Sequence, residues 1–293
     1  GTEEWHETCR RVIEGMFTMQ KKHVVSLGTP WDDARAQRTA KEAYDRLFNL
    51  KWTPPGRGLW MMGTKFIEDR TGAALFNCAF RSTKDIDSKG GYLFGWIMDA
   101  LMVGIGVGFD TKGAGTLTIK EPQWSDAVFT VPDSREGWVV SVTVLLDGFF
   151  RGSVVPRFDY SEIRPAGAPI HGFGGTSSGS EPLEQLHRDL IELYNSRVGE
   201  TITSTDIVDT ENLIGKCVVA GNVRRSAALA IGEYNDREYL TMKNDEKKLY
   251  SHRWGSNNSF HSVVGMDYGW HAEQSQNNGE PGYIWLDNAR TRG

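Results

Sequence analysis

Five groups of residues have the types and spacing to do chemistry. Cys78 lies in the apolar run Leu75–Phe80, flanked by Asn77 and Ala79 with Phe76 and Phe80 beyond. The run reads as a buried strand, where a lone cysteine is a small hydrophobe or a thiol presented to a ligand. Gly104, Gly106 and Gly108 alternate toward Asp110. On a strand they would leave bare backbone along one side, for tight packing or for close approach of a ligand. The loop Pro165–Gly179 holds glycines at 167, 172, 174, 175 and 179 with His171, Thr176, Ser177 and Ser178. Free backbone N–H groups and small hydroxyls suit phosphate or ribose, and a structureless loop of that length is usually functional. Arg224 and Arg225 in Gly221–Ser226 are either a fork for planar or anionic ligands or a solvated pair after a glycine cap. Asn257 and Asn258 belong to the polar run His252–Ser259, which either ties the fold together or lines a polar interior.

Other patterns carry less. Phe109 stands where a dinucleotide fingerprint needs its next element, and Thr210 stands where a phosphate loop ending in Gly215-Lys216 needs a glycine. Cys217, beside Ile214 and Val218, reads as structural. Cys9 has only His6 one helical turn away, so no metal ion is expected in this chain.

Elements must position these groups. Residues 1–50 read as two helices, the second opening at Thr29-Pro30-Trp31-Asp32-Asp33 with its acids early. Lys51–Gly58 breaks the periodicity, and a helical region over 1–73 gives way to a second region over 74–293. There the spacing predicts strands at 75–80, 106–110, 158–163, 227–231, 250–260 and 282–286. Helices are predicted at 92–103, 138–150, 182–196 and 204–219, with Asp133 capping the second of these and Glu136 completing a capping box. Strands separated by helices argue for an α/β fold with largely parallel pairing.

Composition narrows the class. The chain has 293 residues, 39% hydrophobic and 24% charged, with a net charge of −5. That balance suits a globular protein and opposes an electrostatic grip on nucleic acid. Three scattered cysteines point to a reducing compartment, the cytoplasm, and no apolar run is long enough for a membrane span.

Taken in order, Phe76–Phe80, Gly106–Asp110, Asp133–Trp138, Ser161–Pro165, His171–Thr176, Asn212–Lys216, Val218–Ala227, His252–Ser259 and Asn278–Gly282 resemble the adenosylcobalamin-dependent ribonucleoside-triphosphate reductases, especially the monomeric type. The resemblance implies a helical N-terminal region followed by the first half of a ten-stranded α/β barrel. It implies a ribonucleoside triphosphate substrate, a deoxynucleoside triphosphate effector, a thioredoxin-type reductant, and adenosylcobalamin held mostly by residues outside this chain. By motif position Cys78 is the first member of the reducing cysteine pair. Asn77, Gly106, Gly108, Arg224, Arg225, Asn257 and Asn258 fall at the substrate. Asp133, Ser134, Arg164, His171, Gly174, Gly175 and Asn222 fall at the effector, with 166–179 and 221–226 as two specificity loops.

The departures are as informative. The family's Asn-Pro-Cys-Gly-Glu radical segment, its second reducing cysteine and its C-terminal cysteine pair do not occur here. The chain is therefore expected to be an N-terminal fragment, inactive alone and prone to self-association along open strand edges. The stretch between Asp110 and Asp133 is short for the family and implies a reduced insertion. Two rival readings share some of these features: a diiron or glycyl-radical reductase, and a non-catalytic deoxynucleotide-binding regulatory module.

Overall fold

The computed structural model of the chain describes residues 2–69, 72–170, 175–220 and 227–292. They fall into two compact units, one up to Asn77 and one from Cys78 onward.

The first unit is helical: α1 (Trp5–Ser26), α2 (Asp33–Phe48), α3 (Gly56–Met61) and α4 (Lys65–Asp69), then a 3-10 turn at Gly72–Leu75. A capping box between Glu4 and Glu7 starts α1, and Asp32 caps α2 by accepting from the Arg35 amide. Cys9, Val12 and Ile13 of α1 meet Leu47 of α2 in a small core, so Cys9 is packing material. Gly15 lets the chain pass at Gly63, whose Cα would lie 2.5 Å from any Cβ there.

The second unit contains β1 (Cys78–Arg81), α5 (Ile86–Lys89), α6 (Tyr92–Met102), β2 (Gly106–Asp110), β3 (Gln123–Thr130), α7 (Arg135–Arg151), β4 (Val154–Asp159), α8 (Glu181–Asn195), α9 (Ser204–Val219) and β5 (Ala228–Gly232). It continues with α10 (Arg237–Thr241), α11 (Glu246–Ser251), β6 (Ser256–Ser262), α12 (Gly269–Asn278), β7 (Gly282–Trp285) and α13 (Leu286–Arg292). Five strands form one sheet in the order β1-β2-β5-β6-β7, every pairing parallel. Parallel neighbours need crossover connections, and helices supply them. The fold is α/β, with a five-stranded parallel half-barrel sheet after a helical region.

Period-2 alternation gives this sheet two unlike faces. Val107, Phe109, Ala228, Ala230 and Phe260 are buried on one. Cys78, Gly106, Gly108, Leu229 and Asn257 alternate with them and are exposed or half-buried. Within the same unit, β3 and β4 form a second sheet, a parallel two-stranded ribbon with α7 as its crossover helix. Gly148 brings that helix onto the ribbon, since a Cβ there would fall 2.2 Å from Val155.

Three sequence expectations need correction. The Leu75–Phe80 run is a 3-10 turn leading into a strand that starts at Cys78 and is exposed, with Phe76 and Phe80 largely in solvent. Residues 250–255 are the end of α11 and a 3-10 turn, because Asp245 caps a helix there by accepting from the Lys248 amide. The strand expected at 158–163 lies earlier, at β4, and β3 was not anticipated. No helix among the described residues is long and apolar enough to cross a membrane.

Candidate functional site

The open sheet face carries the first group. Cys78 pairs in register with Gly106, and Phe80 with Gly108. Gly108 is glycine for a local reason: a Cβ would sit 2.9 Å from the Phe80 ring. The result is an exposed residue Cys78 beside a strand whose glycines leave this face without side chains of its own. Asp110 anchors the end of β2 by accepting from the Thr83 amide at 2.8 Å. Asn257 is exposed on the same face, in register with Leu229 and through it with Gly108. Asn77, just before β1, is also exposed.

Asn258 is turned the other way. It is buried on the helix-covered face, its Oδ1 accepts from Ser256 Oγ at 3.1 Å, and its backbone N–H donates to the Glu280 carboxylate. Adjacent strand residues point to opposite faces, so Asn257 and Asn258 cannot share one site. The turn that starts β6 is pinned by a buried ion pair. Arg253 donates twice to the Asp209 carboxylate, at 2.7 Å each, and His252 lies 3.0 Å from it. Burial alone would raise the Asp209 pKa, but the Arg253 and His252 contacts hold it below the ordinary carboxylate value.

The second group gathers at the start of α7. Ser134, not Asp133, is the cap: its Oγ accepts from the Gly137 amide at 3.0 Å. Asp133 is thereby free to take the Arg164 guanidinium at 2.7 Å, and Arg164 also donates to the Pro169 carbonyl at 2.9 Å. The arms of the glycine-rich loop pair with each other, Gly167 to Ser177 and Ile170 to Gly175. Gly175 has φ +87°, a conformation that side chains oppose. These pieces enclose a cleft lined by Asp133, Ser134, Trp138, Arg164, Thr176 and Cys217, among others. One end is ionic and rich in donors; the other is apolar. Burial pushes the Cys217 thiol up to about 12, so it serves as a neutral wall.

His171, Gly174, Asn222, Arg224 and Arg225 lie outside the described residues. The described substrate residues other than Asn258 are exposed or half-buried on or beside the open face, while Asp133, Ser134 and Arg164 line one cleft that Gly175 adjoins. Sequence reasoning missed Trp138 and Cys217 as cleft walls, although their apolar neighbours at helical spacing marked both helices. It also missed the buried polar groups Glu211 and His187, whose partners or lack of them depend on packing. No group of three or more metal-ligating side chains occurs among the described residues.

Comparison with known proteins agrees with these features. Residues 1–64 match the family model "Ribonucleotide reductase alpha domain", and residues 111–194 match "B12-dependent ribonucleotide reductase, insertion domain". The insertion thus extends far beyond the 111–132 stretch and contains β3, α7, β4 and α8. A probable adenosylcobalamin-dependent ribonucleoside-triphosphate reductase of Dictyostelium discoideum is 46% identical over 98% of this chain, covering 41% of its own length. The Euglena gracilis reductase of that name is 43% identical over 98% of the chain and 40% of its own length. A crystal structure of a B12-dependent (class II) ribonucleotide reductase superposes with a TM-score of 0.79 at 32% identity, over 97% of this chain and 46% of that one. The chain spans less than half the length of these relatives, carries one stretch of the ribonucleotide reductase alpha domain and one of the B12-dependent insertion domain, and is similar over nearly all of its length to B12-dependent, class II ribonucleotide reductases.

Proposed function

We propose that the protein of which this chain is a part reduces ribonucleoside triphosphates to 2′-deoxyribonucleoside triphosphates in the cytoplasm. The observation that carries this reading is the exposed Cys78 thiol beside the side-chain-free backbone of Gly106 and Gly108. A ribose laid against that backbone meets a reductant at the distance of a side chain. The balanced step is the loss of the 2′ hydroxyl as water while two thiols become a disulfide, supplying two electrons. Cys78 is one of those thiols. Cys9 and Cys217 are buried and cannot be its partner, so the partner and the radical-bearing cysteine belong to residues beyond these three. This chain alone therefore turns over no nucleotide.

The relatives are named for adenosylcobalamin, whose cobalt–carbon bond supplies the radical when the cofactor is bound. The cofactor is read as seated mostly on residues outside this chain, and the step assigned to this chain is reduction by Cys78. The insertion-domain match favours this radical source over a diiron or glycyl one.

The α7 cleft is read as the effector site for a deoxynucleoside triphosphate. Asp133 suits a ribose hydroxyl, Trp138 a base, and Arg164 with the Thr176–Ser178 hydroxyls the polar remainder. In the complete reductase, Cys78→Ser should keep effector binding and form no deoxynucleotide with a thioredoxin-type or dithiol reductant. Turnover by that variant at the unaltered rate defeats the assignment.

A further inference from the structure

The cleft has two walls. α7 and the two residues that lead into it supply Trp138, Ser134 and Asp133; the segment after β4 supplies Ile163, Arg164 and Thr176–Ser178. The Arg164–Asp133 pair bridges them at the polar end. A second bridge runs through a residue on neither wall, His187 of α8.

His187 is 2% exposed, and burial pushes its ring down to about 3. The imidazole is therefore neutral, with one nitrogen donating and the other accepting. The neighbours settle which. Ser141 Oγ donates its only proton to the Trp138 carbonyl at 2.8 Å, so toward His187 it must accept, from Nε2 at 3.2 Å. Nδ1 then accepts from the Tyr160 hydroxyl at 2.7 Å. Burial, aided by Glu184, pushes that phenol up to about 12, which keeps its proton available. The hydrogen bonds run one way, from Tyr160 through His187 and Ser141 to the Trp138 carbonyl, and such chains reinforce each other. Phe158 packs against the imidazole at 4.5 Å between centroids with the ring planes tilted by 46°, which limits its rotation. Trp138 lines the cleft itself, whereas Tyr160 lines a neighbouring depression with Phe158, Glu184 and His187 and joins the second wall through its backbone, its carbonyl accepting from the amide of the cleft residue Ile163 at 3.0 Å.

We propose that His187 is a positioning residue for the effector cleft, a strut from α8 that fixes the spacing of its two walls through Ser141 and Tyr160. The inference rests on reading the cleft as a deoxynucleotide site. A ligand that bridges both walls gains affinity when their spacing is set beforehand, because binding then need not order them.

The test is equilibrium binding of the four deoxynucleoside triphosphates to the 293-residue chain, with thermal unfolding followed in parallel. Tyr160→Phe and Ser141→Ala each remove one hydroxyl and should weaken binding roughly five- to tenfold, the scale of one hydrogen bond. The double variant should be less than multiplicatively worse, because both act through one ring. His187→Phe should match the double variant; if it does not fold, the two hydroxyl deletions decide alone. Variants that melt earlier yet bind as tightly as the parent overturn the strut and leave the effector reading standing. A parent chain that binds no deoxynucleotide overturns both.

Discussion

Arg253→Met removes a guanidinium from a site that water does not reach. Arg253 is 3% exposed and Asp209 2% exposed, and two of the donors to the Asp209 carboxylate disappear with the substitution. Removing one member of a buried pair leaves an uncompensated charge and costs about 3–5 kcal/mol. His252 stays at 3.0 Å, which places the expected loss in the lower half of that range. The Met242 carbonyl also loses its Arg253 donor, worth about 1 kcal/mol.

The pH dependence follows from the sign of the Asp209 shift. Its pKa is held below the ordinary carboxylate value of 3.8, so the stabilisation is present above that value and is lost as pH falls through the folded one. The deficit of the variant should therefore be full near neutrality and shrink in acid, where Asp209 without Arg253 takes up a proton and has no charge to strand, disappearing only once pH falls through the lowered value of the folded parent. Urea unfolding followed by circular dichroism measures it. For a slope of about 3 kcal/mol per molar, the midpoint falls by roughly 1 M at neutral pH. Asp209→Leu combined with Arg253→Met should recover most of the loss, since an apolar pair strands nothing. A single variant that loses less than about 1 kcal/mol, or a double variant no better than the single, refutes the argument that a stranded charge sets the magnitude.

Other outcomes are equally specific. Glu211 is fully buried without a hydrogen-bond partner among the described residues, and burial raises its pKa from 4.5 to about 8. A raised folded pKa favours the folded state most below 4.5 and progressively less up to about 8. Glu211→Gln should flatten that fall and stabilise the chain at alkaline pH; parallel stability profiles for parent and variant would count against it. Brief alkylation of the native chain, read by peptide mass spectrometry, should modify Cys78 and spare Cys9 and Cys217, which are buried; comparable labelling of all three contradicts the packing. Gly15→Ala puts a methyl against the Gly63 backbone and should destabilise the first unit by about 1–3 kcal/mol. An unchanged melting transition for that unit would show that the two segments separate easily.

Much of the architecture was legible because local physics repeats along the chain. The helices expected at 182–196 and 204–219 are α8 and α9 within a residue, since helical spacing of apolar residues and good N-terminal residues mark them. The run Gln123–Thr130 was not legible as a strand. Only one edge of β3 is paired and most of its side chains face solvent, so it lacks the apolar alternation that identifies a half-buried strand. Tyr250 and Trp254 suggested a strand where the chain forms helical turns, because both aromatic side chains are exposed and exert no pull toward a sheet.

The chain of amino acids by itself determined which groups could do chemistry and the α/β character, through residue types and short-range periodicity, while the order of its motifs carried the resemblance to a family. Tertiary structure alone decided that Cys78 stands exposed, that Asn257 and Asn258 part to opposite faces, and that Arg164 finds Asp133 across 31 residues. It alone placed His187 between Ser141 and Tyr160. Those outcomes depend on which surfaces meet and exclude water, and no spacing along a chain records that.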